Sequence, residues 1–184
     1  MKIFRRNNGF TLVELMTTIS IAVILMAIAI PSFKTMIENQ RLVTTASEFY
    51  AAVNLTRAEA IKRGARVNMV ANDGAKWTSG WTVFIDANDN LLVDAGETII
   101  FTHDATVANL TSVNTFTDTS STYISYTGNG RSRTKASSQQ PQAGTVSFTL
   151  GDATRRVKIN FLGRARICNP VANLSTCSST VSGN

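Results

Sequence analysis

At 184 residues the chain has room for one globular domain and a membrane helix, but not for two full domains. A single histidine, His103, and two cysteines leave too few ligands for a zinc or histidine-built metal centre, and no nucleophile motif accompanies His103. The composition argues against an enzyme and implies no cofactor. The formal charge of +6 is unevenly spread. Residues 1–9 hold Lys2, Arg5 and Arg6 with no acid; residues 10–122 hold seven basic and eleven acidic side chains. Residues 123–184 hold eight basic side chains against one acid, Asp152, a net +7. That imbalance suits a polyanionic partner such as nucleic acid, acidic lipid or acidic polysaccharide, or else a solubilising face.

From Phe10 to Ile30 the only charged side chain is Glu14. These 21 residues are enough for a helix to cross a bilayer core. The basic flank precedes them, so the N-terminus is expected in the cytoplasm and the remainder outside. A secretory signal ends in a small-residue cleavage site, whereas here Pro31-Ser-Phe follows and the helical pattern runs on, so the segment is expected to be retained. A carboxylate within an apolar helix is costly and functional by default. Glu14 lies one turn past Phe10, where it can pair with an amino terminus exposed by cleavage; a plain anchor with a Glu near the interface is the alternative.

The basic leader, Gly9, Phe10-Thr-Leu-Val-Glu14-Leu, the apolar run and Pro31 resemble the N-terminal signal of type IV pilins and type II secretion pseudopilins. The resemblance implies that a prepilin peptidase cuts after Gly9 and methylates Phe10, and that Glu14 serves in assembly with other pilin subunits. It also implies a kink at Pro31. Residues 1–9 are then a leader, 10–63 one long helix of about 80 Å with 10–30 in the membrane or fibre core, and 64–184 a head. The precursor is expected in the inner membrane with a periplasmic head, and the mature subunit in a pilus fibre.

Beyond Pro31, Leu42, Ala46, Phe49, Val53 and Ala60 mark one helical face, and Gly64 is a stop with Lys62 and Arg63 in the last turn. Strands are expected at 67–71, 81–85, 98–102, 123–126, 146–150 and 157–161. Asn72-Asp73-Gly74 is the stronger hairpin signal and Gly151-Asp152 the weaker. The expected fold is α+β: a long N-terminal helix packed against an antiparallel head of one or two sheets, with Trp77 and Trp81 in its core. Arg57-Ala-Glu-Ala-Ile-Lys-Arg63 and Trp77-Thr-Ser-Gly-Trp81-Thr-Val-Phe-Ile-Asp86 resemble the minor pilin family that holds GspH and FimT.

Gly163-Arg164-Ala165-Arg166 follows the last expected strand, and alternation in an extended segment puts Arg164 and Arg166 on one side. Two guanidiniums on a stiff loop suit phosphate oxygens. Gly130-Arg131-Ser-Arg133-Thr-Lys135 is a second basic cluster, and Arg155, Arg156 and Lys158 a third. Gly-Arg-x-Arg before a C-terminal cysteine resembles the DNA-binding motif of FimT pilins used in natural transformation, which implies sequence-independent contacts to DNA. No aromatic residue interleaves the Arg164 cluster, so duplex is favoured over single strands. The competing reading has these arginines capping carbonyls or pairing with Asp86, Asp94 or Glu97. Cys168 and Cys177, with no further ligand nearby, are expected to form a disulfide that stabilises by about 2–3 kcal/mol in an oxidising compartment. Asp86, Asn88, Asn90, Asp94 and Glu97 occupy places of an EF-hand-like calcium loop, but Leu91 stands where that loop needs glycine, and a polar hairpin turn has the same composition.

Overall fold

The computed structural model describes residues 9–118, 122–137, 139–173 and 175–180. The leader side chains Lys2, Arg5 and Arg6 lie outside them. Helix α1 (Leu12–Arg63) runs through two compact units, one ending at Ile37 and the other beginning at Glu38.

The helix begins at Leu12, not at Phe10, because Thr11 caps it. The Thr11 N–H donates to the Glu14 carboxylate at 2.9 Å, and the Glu14 N–H donates back to the Thr11 hydroxyl at 3.3 Å. This reciprocal capping box satisfies two amide donors that the first turn leaves without helical partners. Further along, Thr17, Thr18 and Ser20 return their hydroxyl hydrogens to the carbonyls of Glu14, Leu15 and Met16. Polar groups in this apolar stretch are thus satisfied within the helix itself, as a lipid environment demands. The large apolar side chains from Phe10 to Ile37 are all exposed. Pro31 sits inside the helix, where it removes the hydrogen bond to the Ala27 carbonyl.

In the second unit the anticipated face of α1 is buried: Leu42, Ala46, Phe49, Val53 and Ala60 have no exposed surface. They pack with residues of two antiparallel sheets. The first sheet comprises β1 (Val67–Ala71), β2 (Trp81–Ile85), β3 (Thr98–His103) and β5 (Tyr123–Tyr126), in the order β3-β2-β1-β5. The second comprises β4 (Thr111–Phe116), β6 (Gly144–Leu150), β7 (Ala153–Ile159) and β8 (Ala165–Cys168), in the order β4-β6-β7-β8. Phe49 sits where helix and sheets meet. Its ring centroid lies 5.0 Å from Trp77, 5.2 Å from Trp81 and 5.2 Å from Phe148, each edge to face. Both tryptophans are fully buried, as expected of aromatic anchors under a small sheet.

Two strands were not anticipated. β4 carries few apolar residues, and β8 has only four residues. β7 covers 153–159 instead of 157–161, so Phe161 falls in a turn. The ranking of the hairpin turns is also reversed. Gly151-Asp152 makes the tight β6–β7 hairpin, with Leu150 opposite Ala153. Asn72-Asp73-Gly74 opens a longer β1–β2 connection that holds a 3-10 turn at Trp77–Ser79.

Candidate nucleic-acid interface at the head

Two turns carry the exposed arginines of the C-terminal basic clusters. In the first, the Gly130 N–H donates to the Thr127 carbonyl at 2.8 Å and the Arg131 N–H to Asn129 Oδ1 at 3.0 Å. In the second, the Gly163 N–H donates to the Asn160 carbonyl at 2.8 Å and the Arg164 N–H to Asn160 Oδ1 at 2.9 Å. Gly130 and Gly163 both have positive φ, 74° and 75°, which favours glycine. The turns pack against each other. A Cβ on Gly163 would lie 2.8 Å from the Ser132 nitrogen and 3.0 Å from the Gly130 oxygen. The buried Tyr126 hydroxyl donates to the Gly163 carbonyl at 2.8 Å, and Arg57 Nε of α1 donates to the Gly130 carbonyl at 2.9 Å. Tyr126 and Arg57 therefore position the site, Tyr126 from 37 positions before Gly163 and Arg57 from 73 before Gly130.

The side chains of Arg131 and Arg164 are exposed. Among the described residues, no carboxylate pairs with either. The rest of the expected clusters scatter. Arg133, only 8% exposed, donates to the Ser132 carbonyl and leaves its Nε hydrogen without a partner. Lys135 reaches away to the Asn90 carbonyl at 3.2 Å. Arg155 lies on the opposite face of β7 from Arg156 and donates to Asn39 of α1 at 3.0 Å.

Arg166 does not form a free pair with Arg164. It sits within β8, directly opposite Lys158, and donates to the Thr176 carbonyl. Arg156 donates to the Cys177 carbonyl, and Lys158 Nζ to the Ser178 carbonyl at 3.0 Å. Three cations thus hold three successive carbonyls of the segment pinned by the Cys168–Cys177 disulfide. The carbonyl-capping alternative applies to these three side chains. Burial, and the neighbouring Arg166 and Arg156 charges, hold the Lys158 amine below the usual lysine range.

The calcium-loop residues do not converge as a ligand set. Asp86 accepts from the Asn90 and Leu91 amides and from the Asn68 side chain. Glu97 accepts from the amides of Ala87 and Asp94. Asp94 accepts from the side-chain amides of Asn88 and Asn90, which hold its carboxyl below the ordinary range. The oxygens are occupied in shaping the β2–β3 connection, which places Leu91 on Val70, Phe84 and Tyr123. Among the described residues, no group of three or more His, Cys, Asp or Glu is placed to hold a metal ion. His103 ends β3, stacked on Trp81 at 4.0 Å, with a ring nitrogen 3.2 Å from Glu48.

Tyr126→Phe tests how the turns are held. It removes the hydrogen bond to Gly163, at an expected cost of about 1 kcal/mol in denaturant unfolding. Burial holds the Tyr126 phenol far above its usual pKa. Its protonated form is therefore favoured by folding, and this contribution is complete below about pH 10 and is lost as pH rises beyond it. The phenylalanine variant should show a shallower loss of stability above pH 10, the remainder reflecting Tyr123, which is shifted in the same direction.

The family described as "Type II transport protein GspH" matches residues 45–163, and the "Prokaryotic N-terminal methylation motif" matches residues 4–30. Pilin-like protein PilA1 of Thermus thermophilus is 32% identical over 165 residues, which cover 87% of this chain and 97% of that protein. The fold is similar to the crystal structure of the Pseudomonas aeruginosa type IV minor pilin FimU, with a TM-score of 0.58 at 20% identity over 73% of this chain and 92% of that one. A second crystal form of FimU gives 0.56 at 19% identity, over 71% and 94%. The methylation motif implies processing by a prepilin peptidase, and the apolar helix with its β-rich head fits a membrane-anchored precursor. By its helix, its two sheets and these matches, the chain belongs to the GspH family of minor pilins and pseudopilins, non-enzymatic proteins of fibre assembly.

Proposed function

We propose that the chain is a minor subunit that helps to build a pilus-type fibre, after cleavage between Gly9 and Phe10 and methylation of Phe10. The carrying observation is the contrast within α1. Its large apolar side chains up to Ile37 are exposed, whereas Leu42, Phe49 and Val53 further along close a finished core. An uncovered apolar helix of this length calls for lipid before assembly and for neighbouring helices after it. Glu14 is the one carboxylate in that stretch and the candidate for contact with a neighbouring amino terminus. The match over the head to GspH supports a role in assembly, either as a type II secretion pseudopilin or as a pilin that primes a type IV pilus. Gly9→Val should leave the protein at precursor length when it is co-expressed with a prepilin peptidase, and absent from sheared fibres. Equal processing and incorporation of the variant would sink this assignment.

A second reading, DNA binding for uptake as in FimT pilins, is favoured by one feature. The C-terminal third is strongly basic, and two of its guanidiniums stand exposed on adjoining turns with no carboxylate paired to them among the described residues. Such a surface suits phosphates of duplex DNA without reading its sequence.

A further inference from the structure

The Gly-Arg-x-Arg segment invites the assumption that Arg164 and Arg166 act as a pair. The hydrogen bonds divide them. Arg166 is part-buried in β8 and committed to the Thr176 carbonyl, in a row with Arg156 on Cys177 and Lys158 on Ser178. Removing any of these donors would leave a loop carbonyl without its partner, whereas Arg164 is exposed and has no such task. The side chain that shares its circumstances is Arg131. Each follows a glycine of positive φ, each is exposed, and the two glycine turns touch so closely that Gly163 has no room for a Cβ.

We propose that Arg131 and Arg164, one from each packed turn, form the phosphate-binding pair for nucleic acid, and that Arg166 is a positioning residue that holds the disulfide loop. This rests on the DNA reading given above. The site is stiff before any ligand arrives. Tyr126 and Arg57 fix the two glycine carbonyls, so little backbone ordering remains to oppose binding. It also lacks an internal counter-ion. Arg133, two positions beyond Arg131, is buried with no acid paired to it among the described residues, and its Nε hydrogen has no partner. Two exposed guanidiniums offer bidentate forks to successive phosphates.

The test uses the full chain in non-ionic detergent, titrated with a labelled random-sequence duplex over a series of salt concentrations. The slope of log affinity against log salt counts the phosphates neutralised, at about 0.9 per phosphate. Arg131→Gln and Arg164→Gln should each weaken binding about tenfold, as expected for loss of a charged hydrogen bond, and lower the slope by about 0.9. Arg131→Lys should restore the slope, because it restores the charge. Arg166→Gln should leave the slope unchanged while the Cys168–Cys177 bond becomes faster to reduce. If Arg166→Gln lowers the slope and Arg131→Gln does not, the pairing is wrong although DNA binding stands. If the unsubstituted chain shows no salt-dependent binding, the DNA reading fails and the pair fails with it.

Discussion

Replacing Phe49 with alanine is expected to cost about 3–5 kcal/mol of folding stability, read from the midpoint of denaturant unfolding. The ring has no exposed surface and meets Trp77, Trp81 and Phe148 edge to face. Trp81 belongs to β2 of one sheet and Phe148 to β6 of the other, so one side chain of α1 joins both sheets to the helix. Large aromatic neighbours close poorly over a vacancy, which puts the expected loss at the upper end for a core truncation. A domain has only about 5–15 kcal/mol in total, so the variant should be close to unfolding at physiological temperature. A loss below about 1 kcal/mol would mean that the helix is not the centre of the core.

Loss of the disulfide should be the second large effect. Cys168 and Cys177 are nine positions apart, and releasing a loop of that length costs about 2–3 kcal/mol on the chain-entropy model. The structure adds a local consequence. With the loop free, Arg156, Lys158 and Arg166 would no longer face fixed carbonyls, and three cations on one face of β7 and β8 would repel one another. Cys168→Ser/Cys177→Ser should therefore lower the unfolding midpoint and open the C-terminal loop to proteolysis, while amide exchange in β1 and β2 stays slow. Fast exchange throughout the head would show instead that the loop is integral to the whole fold.

The helix and most of the strands were legible because each carries a hydrophobic period. The buried face of α1 and the runs at β1, β2, β3, β5 and β6 stand out by alternation or by β-branched and aromatic content. β4 escapes that logic: it is an edge strand whose residues are mostly exposed, so burial leaves little mark on Thr-Ser-Val-Asn-Thr. β7 was expected at 157–161, and its first four residues were missed for another reason. Arg155 and Arg156 are adjacent charges rather than an apolar alternation, yet one reaches Asn39 of the helix and the other caps the Cys177 carbonyl, so the strand carries both. The basic residues were found by counting charge, but their grouping was not. Whether Arg166 is free depends on a carbonyl ten residues later, in a loop that carries no signal for it. The packing of the Gly130 turn on the Gly163 turn, with Tyr126 bonded to the Gly163 carbonyl, joins segments far apart in sequence, and that distance conceals it.

The edge strand β4 has a practical consequence outside the fibre. From Thr111 to Phe116 it carries neither a charge nor a proline, and Val113 is 65% exposed. Natural sheets usually guard such margins with lysine, proline or a bulge. A head purified at high concentration therefore turns an uncharged edge with an exposed valine toward its neighbours. Self-association on storage should begin along that margin, far from the arginine turns, and a single lysine at Val113 is the smallest change that would guard it.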